Sequence, residues 1–425
     1  MAGTGTSRLE RRLGVGDAVV IGAGSMIGAG VFVAWAPAAE VAGSGLLIGL
    51  VIAGIVAWCN ATSSAALAAV HPESGGTYVY GRRQLGPGWG HLAGWGFVVG
   101  KTASCAAMAL AFGAYVWPDQ ARLVGIGAVL TIALVNAGGL ERTAAVTRIL
   151  LVVSLLSLGV TVAAAWSSSD VDLGRLPPSD TSPYGVLQAA GLLFFAFAGY
   201  ARIATLGEEV RDPAITIPRA VRRALAFVLG VYLVVGVSVV ARVPIDVLGD
   251  SDAPLRAVVE ASSWSVAGPV VRLGAAVATL GVLLNLVPGV SRTVLAMARR
   301  RDLPAWFDRV DGRRNLPVRA ESLVVATVVA LIALVGIRSA IAVSGTAVLT
   351  YYAVTNAAAL TLPADQRRSP GWIPWTGLVG CIVLVAALPW RAMVSGAAVV
   401  LVGVAVRFVV ERRRPAPPAG TEAVR

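Results

Sequence analysis

The chain has 425 residues, of which 56% are hydrophobic and 14% are charged, and its mean hydropathy is +0.76. Soluble domains carry about 25% charged residues, so this composition excludes a soluble protein. The net charge is +12, and among 35 cationic residues Lys101 is the only lysine.

Apolar runs long enough to cross a hydrocarbon core of about 30 Å recur along the whole chain. We predict an all-α polytopic membrane protein with about twelve transmembrane helices. The predicted spans are residues 16–38, 45–70, 89–116, 121–138, 144–166, 185–206, 222–243, 266–297, 319–337, 339–362, 372–388 and 391–410.

Arginine is concentrated in alternate gaps between these spans, whereas the other gaps carry most of the aspartates. The arginine-rich gaps contain Arg11, Arg12, Arg82, Arg83, Arg222, Arg223, Arg299, Arg300, Arg301, Arg367 and Arg368. This asymmetry follows the positive-inside rule. It predicts a multi-pass protein of a bacterial plasma (inner) membrane with both termini in the cytoplasm, and it explains the basic charge without a nucleic-acid partner.

The first span contains VVIGAGSMIGAGVF at residues 19–32, with glycines at Gly22, Gly24, Gly28 and Gly30. Each glycine inside a helix costs about 1 kcal/mol relative to alanine. Three hypotheses compete: a dinucleotide-binding turn, a membrane helix broken in its middle, and close helix packing through Gly24-x-x-x-Gly28. The dinucleotide hypothesis fails because another apolar span follows and no alternating strand pattern does.

A break in a membrane helix frees backbone groups, which is tolerated only where the segment lines a cavity inside the protein. The freed N–H groups at the start of a half-helix attract an anion, and freed carbonyls attract a cation. This pair of sites suits the carboxylate and ammonium of an α-amino acid.

Discontinuous helices usually occur in pairs, at corresponding positions of two inverted repeats. In the span 185–206, Phe194–Tyr200 places Gly199 and two alanines among aromatic residues. We therefore predict one five-helix repeat over 16–166 and a second over 185–362. The remaining divisions are an N-terminal tail (1–15), two further spans (372–410) and a C-terminal tail (411–425).

Four ordered motifs resemble the amino acid–polyamine–organocation (APC) superfamily of permeases. The motifs are Ser25-Met26-Ile27-Gly28-Ala29-Gly30-Val31-Phe32, Pro72-Glu73-Ser74-Gly75-Gly76-Thr77-Tyr78-Val79-Tyr80, Phe194–Tyr200 with Glu208-Glu209-Val210-Arg211-Asp212-Pro213, and Ser291-Arg292 with Ala296-Met297-Ala298-Arg299. They are spread over about 300 residues in the order found in that family.

The resemblance implies a five-plus-five inverted-repeat core, similar to the leucine transporter, with discontinuous helices 1 and 6. It implies that amides near Ile27, Gly28, Ala29 and Gly30 hold a substrate carboxylate. It implies that carbonyls near Ala23, Ser25 and Phe194–Phe197 hold its ammonium. The implied substrate-binding residues are Ala23, Ser25, Ile27, Gly28, Ala29, Gly30, Phe194, Ala196, Phe197, Gly199 and Tyr200.

The chain departs from the family pattern in helix 5, where several proton-coupled members carry a lysine and this chain has Ser154. Its only lysine, Lys101, lies in the third span. Lysine can lose its proton when buried, whereas arginine stays charged. Two roles remain open: Lys101 couples proton flow to transport, or its ammonium is structural and bonds to helix carbonyls.

Helix 6 also departs from a family variant in which an acid follows the aromatic residue, because Ala201 stands there and Arg202 comes next. Arg202 is expected to face the inner vestibule or to pair with Glu208 or Glu209, and an acidic substrate is the alternative partner. Apart from Glu40 near the outer end of helix 1, no acid lies well inside the first ten spans. Neutral amino acids are therefore favoured over cationic ones.

The expected function is therefore secondary active transport of neutral L-amino acids across the lipid bilayer by alternating access. The transport is expected to be coupled to protons. An exchanger or exporter, a cationic amino acid or polyamine transporter, and a channel or receptor are the alternatives. A membrane enzyme lacks a catalytic cluster. The cysteines Cys59, Cys105 and Cys381 lie in apolar spans without metal-ligand spacing, so neither a metal nor a cofactor is expected.

Overall fold

The computed structural model describes residues 13–71, 75–137, 144–167, 171–178, 181–204, 206, 209–311 and 317–412. Most of the two predicted tails lie outside the described residues. So do residues 72–74 and Glu208 from the motifs above.

The described residues fold into α-helices joined by short turns and loops. The helices are α1 (Val15–Met26), α2 (Ala29–Val33), α3 (Trp35–Ala42), α4 (Leu46–Val70), α5 (Thr77–Gln84), α6 (Pro87–Val116), α7 (Ala121–Ala137), α8 (Ala144–Ala165), α9 (Pro183–Phe197), α10 (Ala201–Ala204), α11 (Pro213–Arg242), α12 (Ile245–Asp250), α13 (Pro254–Glu260), α14 (Gly268–Arg299), α15 (Val318–Leu334), α16 (Ile337–Leu360), α17 (Trp372–Ala387) and α18 (Trp390–Arg412). An isolated parallel β-bridge joins Leu13 to Val210.

Each predicted span coincides with a helix or with a broken helix. Within the described ranges, ten helices are long and apolar enough to cross a membrane. The helices α15 and α17, of 17 and 16 residues, occupy two of the predicted spans and are shorter. The prediction of an all-α polytopic membrane protein is confirmed.

Successive spans run in opposite directions, so the ends of the helices form two faces of the bundle. We call the face that carries Leu13, α5 and the end of α14 the N-terminal face, and the face that carries α12 and α13 the opposite face. The hydroxyl of Tyr115, at the end of α6, contacts α13 on the opposite face by accepting the Leu255 N–H at 3.2 Å.

The first span is broken, as predicted, between α1 and α2. Ile27 ends α1 with φ −76° and ψ 60°, and Gly28 follows with φ −115° and ψ −144°. The N–H of Ile27 still donates to the Ala23 carbonyl, and that of Gly28 donates to the Met26 carbonyl, both at 2.7 Å. The second half of the span continues through α2 and α3 to Ala42.

The sixth span is interrupted inside the predicted segment Phe194–Tyr200, but less completely than the first span. The segment Phe194–Phe197, expected to offer free carbonyls, belongs to α9, and the interruption is a 3₁₀ turn over Ala198–Tyr200 before α10. The helix tightens here instead of unwinding, because the 3₁₀ turn keeps i→i+3 hydrogen bonds. The first carbonyl of this interruption is therefore that of Ala198.

The helix α6 lies inside the bundle and packs mainly against α14 and α16. Most of its buried residues are alanine and glycine. Small residues let membrane helices approach closely, and this packing brings Lys101 of α6 into the interior.

Candidate functional site

The two interrupted helices meet through glycines placed on each other's backbone. A Cβ on Gly199 would lie 2.1 Å from the Ser25 carbonyl oxygen, and a Cβ on Gly30 would lie 2.5 Å from the Ala196 Cα. Real Cβ atoms do not approach other atoms this closely. Glycine is therefore required on both helices for the breaks to touch.

The other glycines of the first span pack against different helices. A Cβ on Gly24 would lie 3.2 Å from a Thr147 methyl on α8, and one on Gly28 would lie 2.2 Å from a Val282 methyl on α14. Gly24 and Gly28 thus do not form one face against one partner helix. The packing hypothesis accounts for individual glycines, while the break itself lies at Ile27 and Gly28.

Donors for an anion are present at the start of α2. The first N–H groups of a helix have no acceptor within that helix. In α2, the first two are those of Ala29 and Gly30. The amides of Ile27 and Gly28 already donate to the Ala23 and Met26 carbonyls. Of the four amides implied for the carboxylate, those of Ala29 and Gly30 therefore lie at the start of α2.

A tyrosine of α11 bridges the two breaks. The Tyr232 hydroxyl lies 2.7 Å from the Met26 carbonyl oxygen and 3.0 Å from the Ala196 carbonyl oxygen. Because a hydroxyl has one proton, it donates to one of these carbonyls at a time. Tyr232 is fully buried, so this bridge is shielded from solvent.

Lys101 reaches the interruption of the sixth span. Its ammonium donates to the Ala198 carbonyl at 3.1 Å, and the Tyr352 hydroxyl of α16 lies 3.5 Å from the same oxygen. The Lys101 side chain is buried, with 7% relative exposure. In the described part of the chain, it forms no ion pair with a carboxylate. This contact is the one expected for a structural ammonium, and it also places a titratable group at the interruption.

Aromatic side chains close the region around the turn. Tyr200 and Tyr352 are stacked with ring centroids 4.9 Å apart, and Phe194 meets Tyr352 edge-on at 5.8 Å. Phe197 meets Tyr232 at 5.1 Å. Phe194, Phe197 and Tyr200 have no exposed surface, so the two breaks are packed shut in this conformation.

An apolar groove of about 380 Å³ lies apart from the breaks, on the outer side of α8. It is lined by Val152, Leu155, Leu156, Gly159, Val160, Ala163 and Trp264. Its lining has no charged side chain and suits lipid chains, not a zwitterion.

The N-terminal face is held together by a buried carboxylate. Asp302, with 1% relative exposure, follows α14 and accepts the Tyr78 hydroxyl at 2.6 Å and an Arg82 N–H at 2.8 Å. Burial and this hydrogen bond raise the pKa of Tyr78, so its hydroxyl keeps the proton that it donates. This cluster, Tyr78, Arg82 and Asp302, joins α5 to the end of α14.

A second contact on that face involves Arg202. Its side chain lies 3.7 Å from a Glu209 carboxylate oxygen, which is one of the two predicted partners. Leu13, which precedes α1, exchanges backbone hydrogen bonds with Glu209 and Arg211. The entry of the first span is thereby connected to the chain that leaves the sixth.

Sequence reasoning missed three polar residues of the interior. Tyr232 and Tyr352 lie in apolar spans, where a buried hydroxyl needs a partner, and that requirement is the signal that could have found them. Glu321, in the first turn of α15, is buried beside Asn136 and Arg292. It lies at the beginning of its predicted span, where a charged residue does not by itself indicate a buried site.

Comparison with known proteins agrees with this architecture. A family model described as amino acid permease matches residues 17–410. The chain is 56% identical over 409 residues to an uncharacterised transporter of Mycobacterium tuberculosis, covering 95% of this chain and 93% of that protein. It is 25% identical over 446 residues to the branched-chain amino acid permease BcaP of Bacillus subtilis, covering 97% and 95%. It is 26% identical over 423 residues to the chloroplastic cationic amino acid transporter 7 of Arabidopsis thaliana, covering 92% and 72%.

Proposed function

The chain belongs to the amino acid permease family of the APC superfamily, and on that premise we propose that it is a secondary active transporter of neutral L-amino acids. The observation that carries this proposal is the contact between the two interrupted helices through Gly30 and Gly199. Backbone donors and acceptors from both interruptions lie next to this contact. An α-amino acid needs both kinds of group close together.

The substrate carboxylate would accept the amides of Ala29 and Gly30 at the start of α2. Its ammonium would donate to carbonyls on the facing side, with Ser25 and Ala196 as the nearest candidates. Ala23, Ile27 and Gly28 would shape the helix 1 side of the site. Phe194, Phe197, Gly199 and Tyr200 would surround the substrate side chain and would separate when the site opens.

The preference for neutral substrates rests on the distribution of carboxylates. Among the described residues, the carboxylates that form ion pairs lie near the two faces. Examples are Glu40, which pairs with Arg338, and Glu209, which pairs with Arg202. A buried cation without a carboxylate partner is costly. A neutral side chain needs no such partner.

Coupling to protons would use Lys101. A protonated Lys101 donates to the Ala198 carbonyl, and loss of the proton would weaken its hold on the turn Ala198–Tyr200. Proton binding and the arrangement of the sixth span would then be linked. Alternating access would follow if the two protonation states favour opposite openings of the site.

The same proposal covers the two repeats and the orientation of the protein in the membrane. Residues 16–166 and 185–362 would be inverted repeats that rock against each other around the interruptions, with 372–410 outside them. The N-terminal face, which is rich in arginine, would face the cytoplasm of a cell whose plasma membrane holds the protein.

Counterflow in proteoliposomes tests this proposal, with labelled alanine, serine, leucine and phenylalanine as probes and with or without an imposed pH gradient. We expect exchange of a neutral amino acid and, with the gradient, its accumulation. The variant Lys101→Ala should keep exchange and lose accumulation, whereas Thr102→Ala, whose hydroxyl bonds to its own helix, should keep both. Accumulation by Lys101→Ala would show that Lys101 is structural, and absence of amino acid exchange in the unaltered protein would refute the transport proposal.

A further inference from the structure

Lys101 brings an uncompensated positive charge into the interior. Its hydrogen bond is to a neutral acceptor, the Ala198 carbonyl, and the thiol of Cys105 lies one turn along α6. The described carboxylates that form ion pairs lie near the faces, on Asp17, Glu40, Asp172, Glu209, Glu260, Asp302 and Asp308.

The described residues of α6, α14, α16 and the turn Ala198–Tyr200 include no carboxylate. Glu321 of α15, which also packs against α6, lies beside Arg292. Along α6 and the turn Ala198–Tyr200, the next described charged residue is the cationic Arg202, which is paired with Glu209. On α14 and α16 the charged residues are arginines, such as Arg272, Arg292 and Arg338. On these elements, no described carboxylate neutralises the Lys101 ammonium.

This charge lies beside the junction of the two interrupted helices. Ala198, its acceptor, immediately precedes Gly199, and Gly199 touches the Ser25 carbonyl of the first span. In a buried site, two charges at such separations interact far more strongly than in water. A second cation introduced at this junction would be repelled.

The ammonium also has unused donor capacity. It carries three N–H groups, and within the described ranges one of them has an acceptor, the Ala198 carbonyl. A carboxylate on a substrate side chain could accept from the others. An ammonium or guanidinium could not.

We propose that Lys101 is a specificity-determining residue that excludes substrates with a cationic side chain while admitting neutral and acidic amino acids. This inference rests on the proposed function, because it concerns the same site.

Competition during exchange tests this inference at equal pH on both sides, so that coupling plays no part. Proteoliposomes exchange labelled alanine, serine, leucine and phenylalanine against unlabelled competitors, namely leucine, glutamate, lysine and putrescine. The variants are Lys101→Met, which removes the charge and keeps the length, and Lys101→Arg, which keeps the charge. Thr102→Ala is the control on the neighbouring residue.

In the unaltered protein, we expect lysine and putrescine to compete at least tenfold less well than leucine. Lys101→Met should reduce this gap to about threefold or less, and Lys101→Arg and Thr102→Ala should preserve it. Equal competition by lysine and leucine in the unaltered protein would overturn the inference even if Lys101→Met does not fold. An unchanged gap in a folded Lys101→Met would also overturn it, whereas absence of exchange with any amino acid would refute the proposed function itself.

Discussion

Gly199 of the sixth span lies directly on the carbonyl group of Ser25 in the first, so closely that a Cβ at position 199 would lie 2.1 Å from the Ser25 oxygen. The contact joins the two places where the membrane helices are interrupted. It also restricts residue 199 to glycine, because the atoms in the way are backbone atoms that cannot rotate aside.

Gly199→Ala should therefore separate the interruptions. We expect transport per molecule in the membrane to fall at least tenfold, with destabilisation of about 1–3 kcal/mol from overpacking. Gly230→Ala on α11 is the matched control, since nothing lies within 4 Å of a Cβ there. Transport by Gly199→Ala at the rate of the control would show that the contact is dispensable.

Tyr232→Phe should loosen the same region from the α11 side. The change removes the hydroxyl that donates to the Met26 or Ala196 carbonyl, and a typical hydrogen bond contributes about 0.5–1.5 kcal/mol. We expect a lower melting temperature in detergent and a lower maximal transport rate. Tyr184→Phe alters an exposed tyrosine at the start of α9 and should change neither quantity.

Asp302→Ala should destabilise the N-terminal face. It removes the acceptor for Tyr78 and Arg82, and hydrogen bonds to charged groups contribute about 1.5–3 kcal/mol each. The partial exposure of Arg82 lets water solvate it, so we expect a loss of about 2 kcal/mol in stability.

Asp308→Ala provides the comparison for Asp302, because Asp308 pairs with Arg299 at an exposed position. Exposed pairs contribute about 0–1 kcal/mol. Thermal unfolding of both variants should give a clearly larger shift for Asp302→Ala. Equal shifts would mean that the buried cluster is no stronger than a surface ion pair.

The transmembrane helices and the break at Ile27 and Gly28 could be predicted from the sequence, because hydropathy and glycine content are local properties. The interruption of the sixth span was predicted in Phe194–Tyr200 and occupies only the last three residues of that segment, Ala198–Tyr200. Bulky aromatic residues remain compatible with a regular helix there, so the pattern could not give the position of the turn.

The partners of Lys101, Tyr232 and Asp302 could not be predicted in this way. Each lies on an element distant in the sequence: Ala198 is 97 residues from Lys101, and Tyr78 is 224 residues from Asp302. Such contacts depend on how the helices pack, and this packing cannot be read from a single sequence. The sequence did indicate Lys101 itself, because one lysine among many arginines is conspicuous.

The central claim is that an amino acid binds where the two interrupted helices meet, and protection from thiol labelling tests it most directly. Ser25→Cys is made in a background in which the three native cysteines, all buried, are replaced by alanine, with Gln366→Cys, exposed after α16, as the control. We predict that a saturating concentration of the amino acid that exchanges fastest slows maleimide labelling at position 25 at least threefold and leaves position 366 unchanged. Equal labelling rates at position 25 with and without that amino acid would contradict the claim.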